Sequence, residues 1–368
     1  MNKAIIFGTL ICFGSLMPVC KSQNLLAWPE SMIYDSVHFR YLISNCQTGD
    51  IVQVDSNGNQ SYFAQGVHAI QGLEIAGNVV YVGCDSLVRG FDLETGTMVM
   101  NVHVTGVSNL NDVTADTSGN LYLGDVFGTK IIKVNITTQN WWVFVNGNGI
   151  SRPNGLFYEK ATNRILVCSY RNHSPIQAIS LSDSSVSTLT NTTLTECDGI
   201  TKDKYGRYYV TSWETLSIYR FDSAFLNPPV VVYTNNCGPA DISYDHTHNV
   251  LAIPLQGCNN WDTLLIDPPV GMEKKPTGSP SGSVILKQSF PNPATDHATI
   301  EFIIKQKEKI TLYLFDAHGS EHFTLLDEEK NPGTYSIEIN RCDLRPGMYF
   351  YQLTTFTDHQ VKKMIIAK

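Results

Sequence analysis

Gly72-Leu-Glu-Ile-Ala-Gly-Asn-Val-Val-Tyr-Val-Gly83 joins two short apolar segments through a Gly77-Asn78 turn. β-Branched and aromatic residues on either side of a two-residue turn of this kind predict a β-hairpin. The same pattern occurs six times, and its first segments end at residues 35, 76, 116, 159, 203 and 245. The intervals are 41, 40, 43, 44 and 42 residues, which predicts six structurally equivalent units.

Two further strand-like segments separate successive copies of the hairpin, for example Ile51-Val-Gln-Val-Asp55 and Ser61-Tyr-Phe-Ala64. Four short strands in roughly 40–45 residues are typical of one propeller blade. The sequence therefore predicts an all-β chain in which residues 23–267 form a six-bladed β-propeller. A two-sheet sandwich is the alternative, but a sandwich does not require one motif at near-constant spacing.

The sequence at the two ends of the predicted propeller indicates how the ring closes. The sixth unit ends at Thr263-Leu-Leu-Ile-Asp267, and Pro268-Pro269, which follows, cannot donate to a strand ladder. Because an open sheet edge must be protected, we expect Asn24-Leu-Leu-Ala-Trp28 to form the outermost strand of the last blade. Residues 268–284 are rich in Pro, Gly, Ser and Lys and predict a linker.

The N-terminus predicts export. Lys3 precedes an apolar run, residues 4–19, that is too short for a stable membrane span and is typical of a secretory signal peptide. We place the signal peptide at residues 1–22, with lipid modification of Cys20 as the alternative. No later stretch is apolar enough to cross a bilayer, so we expect no transmembrane segment.

Composition excludes one class of partner and allows disulfides. The net charge is −8 and no basic stripe is present, so we expect no nucleic-acid partner. Export permits disulfides, and Cys237 and Cys258 lie at positions of the sixth repeat that should share one face. We favour a Cys237–Cys258 disulfide, with Cys197–Cys237 as the competitor. Seven cysteines follow the signal peptide, so at least one is left without an intramolecular disulfide partner.

Residues 285–368 predict a second, smaller domain. Segments such as Thr299-Ile-Glu-Phe-Ile-Ile304 and Gly347-Met-Tyr-Phe-Tyr-Gln-Leu353 alternate with short turns, which predicts a small β-sandwich. An ordinary carbohydrate-binding or fibronectin-like module is one interpretation. The segment also carries four motifs in order: Phe290-Pro-Asn-Pro-Ala-Thr-Asp296, Phe315-Asp-Ala-His-Gly319, Leu344-Arg-Pro-Gly-Met-Tyr-Phe350 and Lys362-Lys-Met-Ile-Ile-Ala-Lys368.

These four motifs resemble the C-terminal sorting domain of type IX secretion substrates. The resemblance implies that the type IX secretion machinery is a partner and that it carries the protein across the outer membrane of a Bacteroidetes-type bacterium. It also implies a secreted or surface-attached location.

Oxygen-bearing side chains recur just ahead of the predicted innermost strands. In a propeller the loops that lead into these strands open on one face, around the central channel. The side chains at this phase are Glu30, Gln71, Asn111 with Asp112, Asn154, Asp198 and Asp241. Carboxylate and amide oxygens are the ligands of hard cations, so they predict a divalent metal, Ca²⁺ in the first place. The same residue types also form turns without binding anything, which is the alternative.

Four short motifs in residues 24–267 resemble the senescence-marker/gluconolactonase family: Pro29-Glu30-Ser31, Leu110-Asn111-Asp112, Arg152-Pro153-Asn154-Gly155 and Cys197-Asp198-Gly199. The resemblance implies that Glu30, Asn154 and Asp198 ligate a divalent metal and that Asp198 is the general base of lactone hydrolysis. It also implies that Asn111 contacts the substrate or metal-bound water, and we take Asn111 and its neighbour Asp112 as the candidate substrate-binding residues.

One position departs from that family, whose lactonases usually carry an Arg two residues before the matching Asn. This chain has Asn109 there, which removes a charged bidentate contact to substrate oxygens. Two functions therefore stay open. The first is a propeller that binds a small-molecule, glycan or peptide ligand at the channel, with or without a metal. The alternative is a metal-dependent lactonase or esterase.

Overall fold

The computed structural model describes residues 24–56, 58–68, 70–266, 284–316, 322–340, 344, 346–355 and 359–367. The predicted signal peptide, residues 1–22, and all of the predicted linker except residue 284 lie outside the described residues. No helix in the described part of the chain is long and apolar enough to cross a membrane.

Residues 29–265 form six antiparallel sheets in which the strands follow one another in chain order. The strands of the first three are β1 (Pro29–Asp35), β2 (Arg40–Asn45), β3 (Asp50–Val54) and β4 (Gln60–Ala64); β5 (Ile70–Ala76), β6 (Val79–Cys84), β7 (Leu87–Asp92) and β8 (Met98–His103); β9 (Leu110–Ala115), β10 (Asn120–Asp125), β11 (Lys130–Asn135) and β12 (Trp141–Asn146).

The fourth and fifth sheets also have four strands, and the sixth has three among the described residues. Their strands are β13 (Pro153–Glu159), β14 (Arg164–Ser169), β15 (Ile176–Ser180) and β16 (Val186–Thr190); β17 (Cys197–Lys202), β18 (Tyr208–Ser212), β19 (Ser217–Phe221) and β20 (Val230–Thr234); β21 (Ser243–Asp245), β22 (Val250–Leu255) and β23 (Asn260–Leu265). Two single-turn 3₁₀ helices, Lys160–Thr162 and Gln256–Cys258, lie between strands.

The first strands of the six sheets form a closed ring. β1 packs against β5, β5 against β9, β9 against β13, β13 against β17, β17 against β21, and β21 against β1. Each sheet is therefore a blade, and the chain forms the six-bladed propeller that the repeat predicts. Apolar side chains between the blades make the core, and each fully buried one stabilises the fold by about 1.5–3 kcal/mol.

Blades 1 and 6 are joined by side-chain hydrogen bonds as well as by apolar packing. Ser31 Oγ donates to Asp241 Oδ2 over 2.6 Å, and Tyr41 Oη donates to Asp245 Oδ2 over 2.7 Å. Between the two blades, Met32 packs in one cluster with Ala252 and with Leu26 from the N-terminal segment. These contacts close the ring between the first and last units of the repeat.

The prediction that Asn24–Trp28 forms the fourth strand of blade 6 is wrong. The segment has no strand pairing and lies across the junction of blades 1 and 6. Its backbone is held by side chains, since Asn45 Oδ1 accepts from the Ala27 N–H over 3.0 Å and Asn45 Nδ2 donates to the Leu25 carbonyl over 2.8 Å. Asn259 Oδ1 accepts from the Trp28 N–H over 2.8 Å. Two backbone hydrogen bonds, from the Cys46 and Gln47 N–H groups to the Trp28 and Ala27 carbonyls, add to these asparagine contacts in place of a strand ladder.

The C-terminal residues form two packed sheets, as predicted. One sheet has the order β24 (Val284–Leu286), β25 (His297–Ile304) and β28 (Gly333–Asn340). The other has the order β27 (His322–Lys330), β26 (Glu308–Asp316), β29 (Gly347–Thr354) and β30 (His359–Ile366). Their facing side chains form one core that includes Phe302, Leu312 and Tyr351.

The motif that begins at Phe290 is tied to the last strand of this sandwich. Asn292 Nδ2 donates to the Lys363 carbonyl over 3.1 Å, and Asn292 Oδ1 accepts from the Ile365 N–H over 2.8 Å. Tyr351 Oη accepts from the Ser289 N–H over 2.6 Å. Two motifs that are far apart in sequence therefore form one structural unit.

The predicted Cys237–Cys258 disulfide is confirmed, with its Cα atoms 5.1 Å apart. Cys197, the competing partner, is a buried free thiol. The disulfide joins the segment before the first strand of blade 6 to the turn after its second strand. It thereby fixes the loop that leads into the ring position of blade 6.

We expect a Cys237→Ala/Cys258→Ala double variant to lose about 3 kcal/mol of unfolding free energy, because the disulfide closes a loop of 21 residues. Urea unfolding monitored by fluorescence measures the loss. A reductant should destabilise the wild type by a similar amount and leave the double variant unchanged. Equal stability of wild type and double variant without reductant would contradict the assignment.

Candidate functional site

Each innermost strand carries one extra residue at the same place. In blade 1, Pro29 pairs with Asn45 and Met32 pairs with Ile43, so three steps along β1 match two along β2. The same shift occurs in the other five blades. Such β-bulges re-aim side chains and are common next to functional sites. Six equivalent bulges therefore surround the channel.

The first residue of each bulge gives what we call the inner ring. Its members are Glu30, Gln71, Asn111, Asn154, Asp198 and Ala240. Five of the six carry an oxygen-bearing side chain, so the structure brings Glu30, Asn154 and Asp198 to equivalent positions around one axis. Asn111 belongs to the same ring, one blade before Asn154.

The second residue of each bulge lies one step further along the strand. At this step the structure differs from the sequence-based prediction for Asp241. The strand register places Ala240 in the inner ring of blade 6, so Asp241 falls in the second layer together with Asp112. Gly155 and Gly199 occupy this layer in blades 4 and 5. A Cβ on Gly155 would lie 2.2 Å from the Asp198 carbonyl oxygen, so glycine allows the adjacent strands to approach.

Asp112 is therefore a structural carboxylate in this geometry. Its Oδ2 accepts from the Leu156 N–H of the next blade over 2.5 Å, and its Oδ1 accepts from the Val113 N–H over 2.7 Å. Burial raises its pKa well above the usual range, and the charge of Asp241 adds to that shift. The predicted substrate-binding role of Asp112 stays untested, and these contacts show a carboxylate that links blades 3 and 4.

A second set of side chains, which the sequence analysis missed, lies beside the inner ring. These are the residues that directly follow the second strand of each blade: Cys46, Asp85, Val126, Tyr170, Trp213 and Gln256. Trp213 Nε1 donates to Asp198 Oδ2 over 2.7 Å, and Gln256 Nε2 donates to Glu30 Oε2. Their position in the repeat could have identified them, because the loop after the second strand of a blade opens on the same face as the loop before its first strand.

Asp198 is the best-defined carboxylate of the inner ring. Its Oδ1 accepts from Asn154 Nδ2 over 2.7 Å, and its Oδ2 accepts from Trp213. Burial raises its pKa to about 6, although the hydrogen bonds from Trp213 and Asn154 act in the opposite direction. Near neutral pH this carboxyl group is therefore close to the point at which it exchanges a proton.

Asn154 and Glu30 present acceptor oxygens to the same region. Asn154 is 3% exposed, and its buried Oδ1 has no hydrogen-bond partner among the described residues. An unpaired buried carbonyl oxygen costs roughly 1–3 kcal/mol, so a group that binds it would stabilise the protein. The pKa of Glu30 lies well above its usual range because of burial, and the charges of Asp198 and Asp241 add to the shift.

Carboxyl groups continue below the inner ring. Burial raises the pKa of Asp241 to about 7, and that of Glu74, on β5, to about 8. None of the carboxyl groups around the channel forms an ion pair within the described part of the chain. Several buried acids without a basic partner must either hold protons or be neutralised by a cation.

The residues present suit an oxygen-ligated cation better than a zinc-type centre. Within the described ranges, no group of three or more His, Cys, Asp and Glu side chains is arranged to hold a metal ion. A cation in the inner ring would therefore need the free Asn154 Oδ1 in addition to oxygens of Glu30 and Asp198. Calcium accepts such mixed sets of carboxylate, amide and water oxygens.

Known proteins resemble the two halves of the chain differently. The family described as the secretion system C-terminal sorting domain matches residues 288–367. A search of curated proteins found no match to this chain. Among solved structures, a gluconolactonase from Xanthomonas campestris is similar at 13% identity and a TM-score of 0.55, with 64% of this chain and 85% of that chain covered.

Two further solved structures show how widely the propeller is shared. A luciferin-regenerating enzyme is similar at 13% identity and a TM-score of 0.52, over 64% of this chain and 86% of that chain. A chain of a nidogen/laminin complex is similar at 14% identity and a TM-score of 0.50, over 60% of this chain and 91% of that chain. At such identities the likeness shows the fold alone.

The match of the C-terminal residues indicates the location of the protein. Sorting domains of this family direct type IX export, and the described strands of residues 284–366 make the sandwich that carries the matching motifs. Residues 288–367 match the family of secretion system C-terminal sorting domains, and the chain joins a six-bladed propeller to this domain, which directs export to the cell surface or the surrounding medium.

Proposed function

We propose that the exported propeller binds a divalent cation, calcium in the first place, in the inner ring and uses that site to hold a small ligand. The observation that carries the proposal is the buried Oδ1 of Asn154, which lacks a partner in the described structure beside the buried carboxyl groups of Asp198 and Glu30. A cation there would satisfy the amide oxygen and neutralise both acids.

Individual side chains would divide this work. Glu30, Asn154 and Asp198 would supply the ligating oxygens, while Trp213 and Gln256 fix the orientation of the two carboxylates through their hydrogen bonds. A bound divalent cation would polarise an oxygen atom of the ligand. Asn111, in the next blade of the inner ring, has a buried Oδ1 without a partner among the described residues and faces the ligand in this proposal.

We expect calcium to raise the Tm of the exported protein by roughly 5–10 °C, since about 2.7 kcal/mol is gained at about 100 times Kd. Asp198→Asn should remove most of this shift because it removes a ligating charge. Differential scanning calorimetry with calcium and with chelator measures it. The exposed Glu214→Gln is the matched control and should respond as the wild type does. Identical melting of the wild type in calcium and in chelator would contradict the proposal.

The uncompensated acids should also make the metal-free protein less stable at high pH. Burial raises the pKa of Glu74 to about 8, so its neutral form favours the folded state. That contribution is complete below the unfolded-state pKa of about 4.3 and is lost as pH rises towards 8. In chelator, the Tm of the wild type should therefore fall from mildly acidic to mildly alkaline pH.

Glu74→Gln should flatten this decline, because glutamine stays neutral throughout, whereas Glu214→Gln should leave it unchanged. Thermal melts over the same pH series test both variants. An equal decline in Glu74→Gln and wild type would mean that another group causes it.

Lactone hydrolysis is the second candidate function. Its support is the carboxyl group of Asp198, whose pKa of about 6 suits a general base near neutral pH. One feature weighs against it: Asn109 stands at the position where lactonases of the family that the sequence resembles carry Arg.

We therefore expect calcium-loaded wild type and Asp198→Asn to hydrolyse a panel of sugar and aliphatic lactones at the same background rate. A pH-stat assay measures the rate, with circular dichroism as the check that the variant is folded. Calcium-dependent turnover that Asp198→Asn abolishes would contradict this expectation and establish the enzymatic function.

A further inference from the structure

A rim of side chains surrounds the inner ring, at the position two residues before each inner-ring residue. In the five blades whose rim residue the structure describes, the carbonyl of that residue accepts a hydrogen bond from the residue after the second strand. Tyr170 N–H donates to the Arg152 carbonyl over 2.9 Å, and Trp213 N–H donates to the Glu196 carbonyl over 3.0 Å. The repeated bond places Arg152, in blade 4, at the mouth of the channel.

Arg152 has a left-handed backbone, with φ of 49°. Such a conformation is sterically unfavourable for a residue that carries a Cβ atom. In blade 6 the equivalent rim residue is Gly238, with φ of 67°, which meets no such cost. Trp28 and Glu196 have the same left-handed backbone at the equivalent positions of blades 1 and 5, so the fold of the rim does not require an arginine.

The guanidinium group of Arg152 is oriented but not neutralised. Its central carbon lies 5.7 Å from the centroid of the Phe127 ring, on the neighbouring blade. In the part of the chain that the structure describes, the guanidinium has no hydrogen bond or ion pair, and neighbouring Glu196 does not pair with it. Phe127 is 60% exposed, so an apolar ring at the mouth serves as a platform for this cation.

Tyr170 connects the rim with the inner ring. Burial raises its pKa, the charges of Glu196 and Asp198 raise it further, and the charge of Arg152 lowers it. Arg152 also lies only two residues before Asn154 of the inner ring, so a ligand of modest size can reach from the guanidinium to the inner ring.

We propose that Arg152, held on Phe127, binds the carboxylate group of a small organic acid whose other oxygen atoms reach the inner ring. A planar guanidinium with free N–H donors matches a carboxylate bidentately. The remaining charged groups at the inner ring are acidic and would repel an anion. An anion can therefore bind only where the positive charges of Arg152 and of the cation compensate for this repulsion. This inference rests on the proposed cation site and adds the class of ligand.

The body of the ligand is ring-shaped in this proposal. Trp28 is the rim residue of blade 1, on the side of the ring opposite blade 4, and 53% of its surface is exposed. The exposed indole of Trp28 suits the face of a sugar or aromatic ring. Sugar acids and aromatic acids combine such a ring with a carboxylate group for Arg152.

The test uses the calcium-loaded exported protein and two matched pairs of probes, glucuronate with glucose and benzoate with benzamide. Isothermal titration and saturation-transfer NMR measure binding at millimolar concentrations. A charge-assisted bidentate pair is worth about 1.5–3 kcal/mol, so at least one acid should bind about tenfold or more tightly than its neutral partner. Arg152→Gln should abolish this preference, and Arg152→Lys should restore only part of it.

Arg171→Gln is the matched control, since Arg171 lies in the next loop of blade 4 and donates from Nε to the Asn172 carbonyl. It should keep the preference for the acid. The calcium-induced Tm shift, measured on the same samples, separates the two proposals, because Arg152→Gln should leave that shift intact. An acid preference that survives Arg152→Gln, or the absence of any preference in the wild type, overturns the carboxylate proposal. Loss of the calcium shift in the wild type overturns the cation site instead.

Discussion

Closure of the ring between blades 1 and 6 is the constraint on which the rest of the molecule depends. Ser31 Oγ donates to Asp241 Oδ2 over 2.6 Å, and Met32 packs against Ala252, so the first and last units of the repeat meet. Without this junction Glu30 would belong to an open end of the sheet array. With it, Glu30 faces the same channel as Asp198, although 168 residues separate them in sequence. Apolar packing between the blades therefore holds Glu30 and Asp198 in one channel, although their negative charges repel each other.

The six β-bulges turn this closed ring into a site. Each bulge re-aims one side chain towards the channel, and Gly72, Gly155 and Gly199 in the next layer allow neighbouring strands to approach. The cost is electrostatic, because Glu30, Asp198 and Asp241 are buried together and the pKa of each is raised. Hydrogen bonds from Trp213 and Gln256 offset part of that cost. A cation would offset more, which is why stability and binding are coupled in the proposed function.

The repeat made most of the fold predictable, because strands, turns and blade spacing are local properties of the sequence. The disulfide followed from the same phase argument. The closing segment was not predictable, since Asn45 and Asn259 hold residues 24–28 through side chains and leave no ladder pattern to recognise. Asp241 was placed in the wrong layer although the spacing points to Ala240: the other inner-ring residues lie five positions before the ends of their first strands, and the same offset from residue 245 gives residue 240. Trp213 and Gln256 were missed because only the loop before each first strand was considered.

A crystal structure of the exported protein grown with calcium would show whether a cation occupies the inner ring. We expect one cation in the channel, with oxygens of Glu30, Asn154 and Asp198 at about 2.3–2.6 Å. Density no stronger than water at that position, with Glu30 and Asp198 joined by a shared proton or an ordered water, would contradict it. The acids of the channel would then be protonated and have a structural role only, and any binding site would have to lie elsewhere on the exported propeller.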